Sequence, residues 1–565
     1  MDAVGSLRAV GAVTRDVLGG GAANAAHEVL GALPHVDLKA ASVAELFGHQ
    51  GATLERLLPD YLQTQRWFAG KGQALESVTL RGAVPVPAPG AVAGDAPAGW
   101  MAMVDVRRAE GPGHDLYALP LVARPATTEG LLEPLARVRA AEGDLVLADG
   151  AGDTRFIQGL HDVMRGKGEL LGSGGARLEG TSGAALAQAS RGAGELKVTP
   201  LSLHTSNTSV KLTGEDGSAQ VLKIVRRHDG KVEPGVPQVA LDVYKGTYLT
   251  DVAGYRYSPA VYGSIAHTGA DGAARTVGVL GEFVPNDGDS WSHALQSVHG
   301  VMSAAAKQGA DAPAVCAGIE AYGRVARNQG TRLGELHAAF AGGSVESGFT
   351  GVAATADDLA AAAGRLRSEA GSTVAQLRTA GVELPGGGSV NALEASLAAR
   401  TTDISGRLTP ATVGDRIHTH GDFHLGQMLA VGDDVRIVDF EGAPALSLAE
   451  RWQRTSVLGD VARQRSSFEY AGAQGVKALE EAGADPESIA RATTAADAFA
   501  THAKAEFLDG WKTATKGRSF VPSDLKSALD EAELGNALYE TKYELGSRPD
   551  WVSIPLTRLT KLAQG

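Results

Sequence analysis

His418 to Pro444 reads HTHGDFHLGQMLAVGDDVRIVDFEGAP. Two aspartates, Asp422 and Asp439, stand seventeen positions apart, the first among polar residues and the second at the end of the apolar run VRIVDF. Taken singly, each reads as a turn former or a strand-end cap. Taken together, they meet the needs of phosphoryl transfer: a carboxylate to orient an acceptor hydroxyl and take its proton, and oxygen ligands for a divalent metal that offsets phosphate charge. In that reading Asp422 is the base, and Gln427, five positions on, holds Mg2+ together with Asp439, which opens DFEG. His420 and His424 read as loop-orienting residues rather than proton carriers. Glu441 either helps organise metal or water or simply holds the loop.

Composition sets the frame around this stretch. A chain of 565 residues is too long for one core, so several domains are expected. Hydrophobic residues at 44% and charged residues at 21% are ordinary for a folded globular protein. The net charge of -13 provides no basic surface for nucleic acid or for an anionic membrane. Cys316 is the single cysteine, which excludes an intramolecular disulfide and a cysteine-rich zinc site. The opening residues MDAVGSLRAVGAVTRDVLGGG make a poor signal peptide, and no run of about twenty apolar residues occurs. A cytoplasmic location is expected.

Along the chain, residues 1 to about 50 read as helix-prone, and amphipathic spacing then gives way to an Arg66, Trp67, Phe68 cluster. From Val78 to Leu147, apolar runs alternate with Pro/Gly turns as in β hairpins, and 161–196 is rich in Gly and Ser. LKVTPLSL, SVKLTG, QVLKIVRR and TVGVLGEFVP predict an antiparallel β lobe with a helix near 236–250. From about 291 the spacing is helical, interrupted by a strand-like stretch at 428–440. No fixed-period repeat is evident, and no GxxxxGK[ST] loop occurs.

HGDFHLGQ followed by VDFEG resembles the aminoglycoside-phosphotransferase-like sugar kinases, in particular the bacterial maltokinases and the actinobacterial glucosamine kinases. The resemblance extends, in order, through QRWFAGKG, SNTSVKL, GEFVPNDGDSW, LGELHAAFA, LAERWQRTSVLGDVARQRSSFEYA and ALYETKYELGSRPDWVSIPL. It implies an α+β fold: a bilobal protein-kinase-like core behind an N-terminal cap and an intermediate β-rich subdomain. The expected divisions are a cap over 1–110, an intermediate subdomain over 111–195, a nucleotide-binding lobe over 196–286 and a helical lobe over 287–565.

On the nucleotide side, Lys223 in VLKIV is expected to meet the α/β phosphates of ATP. Ser206, Asn207 and Thr208 are expected to form a phosphate-covering turn, and the main chain around Glu282 and Val284 to meet the adenine edge. The acid that should pair with Lys223 aligns at Ala240, with Asp242 two residues later, so either Asp242 substitutes or the pair is missing. On the acceptor side, the resemblance brings forward His424, Glu441, Asp460, Arg465, Tyr539, Glu540 and Arg548, with Trp452, Tyr543 and Trp551 as aromatic faces. The extra Ala-rich sequence at 353–400, SSFEY and LGSRPDW lean the reading toward a glucosamine kinase using ATP and Mg2+, phosphorylating the 6-hydroxyl. Maltose phosphorylation, a catalytically silent kinase-like binding protein and an aminoglycoside phosphotransferase are the alternatives.

Overall fold

The computed structural model describes residues 31–92, 94–109, 114–128, 131–190, 194–202, 207–230, 236–237, 239–444 and 446–565. The helix-prone reading of residues 1–30 and the turn residue Ser206 lie outside them. The chain divides into two units, Met1–Thr247 with Ala260–Phe283, and Tyr248–Pro259 with Val284–Gly565.

In the first unit, β1 (His35–Asp37), β2 (Leu75–Val86), β3 (Gly99–Arg108), β4 (His114–Pro125), β5 (Leu132–Ala140) and β6 (Gly143–Asp149) form a sheet in the order β1-β5-β6-β4-β3-β2. Among the described residues of this sheet, only the β1–β5 pair is parallel. Strand β3, next to the edge strand β2, is buried without alternation from Gly99 to Val106 because both of its faces are covered. Trp100, Ala102 and Val104 pack toward α1 (Gly51–Thr64), Trp67 and Phe68, whereas Met101 and Met103 pack toward α2 (Thr154–Gly166). Of residues 31–50, expected to be helical, Gly31 and Ala32 are helical, whereas the rest give β1 and the 3-10 helix Val43–Phe47.

A second sheet contains β7 (Glu169–Leu171), β8 (Arg177–Ser182), β9 (Lys197–Ser202), β10 (Thr208–Thr213), β11 (Ala219–Ile224), β13 (Val261–Thr268) and β14 (Ala274–Glu282), in the order β7-β8-β13-β14-β11-β10-β9. Its inward residues Val210, Leu212, Leu222, Ile224 and Ile265 share a core with α2 and with Met101 and Met103 of the first sheet. Two expected divisions therefore fall inside sheets. The one at 110/111 separates the paired strands β3 and β4, and the one at 195 removes β7 and β8 from the sheet they complete. Strand pairing rather than local composition sets these borders. The helix expected near 236–250 is α3 (Leu241–Thr247), which continues as a π-helical turn at Tyr248–Ala253.

Beyond β11 the same run of chain becomes β12 (Arg227–Asp229) and pairs with β4, so it serves both sheets. Arg226 lies at this junction and is 1% exposed. Its guanidinium contacts Asp149 at 2.8 Å, donates to Thr208 Oγ1 at 3.0 Å and lies 5.0 Å over Trp67, and its main-chain N–H donates to Asn207 Oδ1 at 3.2 Å. The Trp of QRWFAGKG and the turn residues Asn207 and Thr208 are thus tied to one buried cation.

The second unit is mainly helical: α4 (Ser290–Gln308), α5 (Pro313–Ala341), α6 (Ala356–Ala380), α7 (Val390–Arg407), α8 (Leu458–Glu481), α9 (Pro486–Ala514), α10 (Leu525–Ser547) and α11 (Ser553–Gln564). The strand-like interruption forms the hairpin β15 (Met428–Val431) and β16 (Asp434–Ile437). Helices α5 and α9 approach closely because Gly330 and Gly510 carry no side chain; a Cβ on either would strike the main chain of the facing helix at Phe507 or Arg327. Among the described residues no helix is long and apolar enough to cross a membrane.

Asp149→Ala leaves the Arg226 guanidinium buried without its counter-charge. The variant should lose roughly 3–5 kcal/mol of stability, read as an earlier denaturant transition. An unshifted transition would show that the ion pair does not hold the two sheets together.

Candidate active site

Sequence-derived site residues occur in both units. In the first unit, Lys223 alternates outward from β11 between the buried Leu222 and Ile224, and its Nζ lies 2.7 Å from Asp242 Oδ2 on α3. The structure decides for Asp242 as the partner; Ala240 spends its main-chain N–H on Thr276 Oγ1 at 3.0 Å. Asn207 and Thr208 open β10 and are buried against Arg226. Glu282 ends β14 with its N–H donating to the Ala260 carbonyl at 2.8 Å and its carboxylate accepting from the Ala260 N–H at 3.1 Å.

In the second unit, Val284 is buried and its carbonyl accepts from Asn286 Nδ2 at 2.8 Å. The loop carrying Asp422 is built around Asp460, in the first turn of α8 and 1% exposed. Its carboxylate accepts the main-chain N–H groups of His420 at 2.8 Å and Gly421 at 2.9 Å, and a third bond from His337 Nε2 at 3.1 Å. The Trp511 indole N–H donates to His337 Nδ1 at 3.1 Å. Since an indole N–H can only donate, the His337 ring proton is on Nε2 and points at Asp460. Burial acts to raise the Asp460 carboxyl, but the hydrogen bonds it accepts from His337 and from the Gly421 N–H outweigh it and hold the group at about 2. Arg463 completes the clamp by donating to the Gly421 carbonyl at 2.7 Å. Gly421 has φ 91°, a left-handed conformation suited to glycine.

Asp422 follows, half-buried, with its N–H donating to His420 Nδ1 at 3.3 Å. His420 Nε2 lies 2.9 Å from the Val438 carbonyl, so one imidazole joins the Asp422 loop to the residue before Asp439. His424 caps the turn Leu425–Gln427 by accepting from the Gly426 N–H at 3.0 Å, and its Nε2 lies 4.0 Å from Asp422. Gln427 Nε2 lies 3.3 Å from Asp439 Oδ2. Asp439 has φ 67°, an uncommon left-handed backbone for a non-glycine residue and the kind of strain that persists where the surroundings fix a side chain's direction.

The acceptor residues separate into two groups. Tyr539, on α10, is close enough to Asp422 for that charge, after burial, to push its phenol pKa up. Tyr543 stacks on it at 6.3 Å, and the Glu441 carbonyl accepts from Arg451 at 3.4 Å. Asp460 and Arg465, expected as sugar contacts, are committed elsewhere: Asp460 to the loop, and Arg465 to Glu533 at 2.6 Å and the Lys504 carbonyl at 2.9 Å. Glu540 accepts from Ser466 at 2.8 Å and Asn536 at 3.0 Å, with Arg558 at 3.3 Å, and its burial raises its pKa against the pull of Arg558. Arg548 is held by Glu544 and lies 5.0 Å over Trp551. Sequence reasoning missed His337, Trp511 and Arg463. The available signal was a lone His in the apolar helical stretch LGELHAAFA, a pattern shared with core histidines.

The Asp460 pKa lies below the ordinary carboxyl value of 3.8, so its contribution is complete above that value and is lost as the pH falls through about 2. Asp460→Asn should remove a component of roughly 2 kcal/mol from stability at neutral pH and flatten the acid limb between pH 4 and 2, measured by denaturation across that range. An acid limb identical to that of the unaltered protein would refute the linkage.

Residues 61–153 match the maltokinase N-terminal cap domain. Two curated relatives are glucosamine kinases: one from Streptacidiphilus jiangxiensis, 31% identical over 41% of this chain and 48% of its own, and one from Mycolicibacterium smegmatis, 27% identical over 55% and 68%. The aligned part thus spans about half the length of the first relative and two thirds of the second. Among solved structures, a glucosamine kinase in complex with glucosamine, ADP and inorganic phosphate superposes with a TM-score of 0.56 at 21% identity, covering 88% of this chain and 96% of that one. The chain is therefore similar in sequence to two glucosamine kinases over part of its length, shares the fold of a solved glucosamine kinase, and matches the maltokinase N-terminal cap domain over residues 61–153.

Proposed function

We propose that the protein is an ATP-dependent sugar kinase whose acceptor is D-glucosamine, giving ADP and glucosamine 6-phosphate. The observation that carries the reading is the Asp422 loop, pinned at two consecutive main-chain N–H groups by Asp460 and followed by the Gln427–Asp439 pair, in a chain homologous to glucosamine kinases. Asp422 orients the acceptor hydroxyl and accepts its proton as the sugar oxygen bonds to the γ-phosphorus and the bond to the β,γ-bridging oxygen breaks, with the electron pair leaving on ADP. Lys223, steadied by Asp242, meets the α/β phosphates. The half-exposed His424 and Tyr539 flank the acceptor.

The donor set fits a hard divalent cation: turning the Gln427 amide over places its oxygen beside the Asp439 carboxylate. Mg2+ held there by Gln427 and Asp439 would supply charge compensation for the transferred phosphoryl group. A maltokinase is the second reading, favoured by the cap domain at residues 61–153. The silent binding protein loses its main support, because Lys223 has an acidic partner after all.

The deciding experiment follows ADP release from ATP and Mg2+ with glucosamine, maltose, glucose, N-acetylglucosamine and an aminoglycoside. Glucosamine should give the fastest release; preference for maltose would move the chain to the second reading, and no sugar-dependent release would end the kinase reading. Asp422→Ala should lower turnover by roughly 100-fold or more with nucleotide binding retained, and undiminished turnover would remove Asp422 from the chemistry. Asp439→Ala should raise the Mg2+ concentration needed for half-maximal rate; an unchanged Mg2+ dependence would exclude it as a ligand.

A further inference from the structure

Strand alternation sorts the first unit's second sheet into two unlike faces. Val210, Leu212, Leu222 and Ile224 are buried in the core, whereas Ser209, Lys211 and Thr213 of β10 and Ala219, Val221 and Lys223 of β11 lie on the other, partly exposed face. The register pairs Ser209 with Lys223, Lys211 with Val221, and Val221 in turn with Gly281 of β14. This face therefore carries two lysines in different settings. Lys223 is ion-paired with Asp242. Lys211, one same-face row further along, has its Nζ 3.8 Å from the ring centroid of Phe283, and among the described residues it makes no ion pair. Two residues along a strand span ~7 Å, so the ammonium groups belong to neighbouring rows, one beside an acid and one over an aromatic ring.

We propose that Lys211 and Phe283 hold the base of the nucleotide donor: the Lys211 ammonium, already against one π face, takes the purine as a second π face. This rests on the kinase reading, which assigns Lys223 to the phosphates. With Lys223 fixing the phosphate end, the row containing Lys211, Val221 and Gly281 falls at the other end of the nucleoside, where the neighbours are the Val221 side chain, the side-chain-free Gly281 and the ring of Phe283. A cation between two aromatic planes is attracted to both through their quadrupoles, and the attraction grows as the base excludes water. That Lys211 makes no ion pair among the described residues follows from the same logic, since an acidic neighbour would compete for the ammonium.

The test is equilibrium binding of adenosine, ADP and pyrophosphate, measured calorimetrically on the full chain. Lys211→Met keeps the stem and removes the charge; it should weaken adenosine and ADP by a common factor of roughly 3- to 30-fold and leave pyrophosphate binding unchanged, and Lys211→Arg should restore both. Equal loss for pyrophosphate would show that Lys211 meets phosphate and would overturn the assignment. So would unchanged ADP binding in Lys211→Met, with the kinase reading intact. Failure of the unaltered protein to bind ADP or adenosine would remove both together.

Discussion

A buried carboxylate that accepts two consecutive main-chain N–H groups fixes the direction of a loop more firmly than any side-chain packing can, because the alternative is an ionised group without solvation. Asp460 does this for His420 and Gly421, and the position of Asp422 follows from it. The arrangement extends outward: the Trp511 indole sets the His337 tautomer, His337 donates to Asp460, and His420 reaches across to Val438 beside Asp439. Both aspartates of the quoted stretch are thereby oriented through one hydrogen-bonded chain. Its helical supports, α5 and α9, come close enough for the Trp511–His337 bond because glycines face the partner's main chain.

The first unit solves a comparable problem with a cation. Arg226, buried where one run of chain passes from the second sheet to the first, draws Asp149, Thr208, Asn207 and Trp67 onto a single guanidinium. A planar group with several donors can satisfy partners from separate elements at once, which lysine could not do. The consequence is that residues of the cap domain and the turn opening β10 share one electrostatic anchor, inside a core contributed by both sheets.

Much of this was legible from residue order. Period-two alternation in SVKLTG and QVLKIV gave the strands and their two faces, helical spacing after 291 gave the second unit, and the Asp422, Gln427 and Asp439 spacing carries the phosphoryl-transfer proposal. Less legible was anything depending on partners far apart in the chain. Asp460 carries the same local signature whether it faces a sugar or a main-chain N–H, and Arg465 looked available until Glu533 and the Lys504 carbonyl were beside it. The division expected at residue 110 lies between two paired strands, because composition marks turns, whereas a sheet edge is defined by which strands pair across them.

The sequence by itself determined the strands of SVKLTG and QVLKIV, the helical character beyond residue 291, and the strand face on which Lys223 lies, since each depends on spacing of at most a few residues and on side-chain periodicity. Only the tertiary structure decided that Asp242 rather than the position of Ala240 pairs with Lys223, that Asp460 serves the loop, and that Arg226 joins two sheets. Those outcomes depend on burial, because a charge removed from water must find its partner wherever the fold brings one, and no local pattern records which distant group that is.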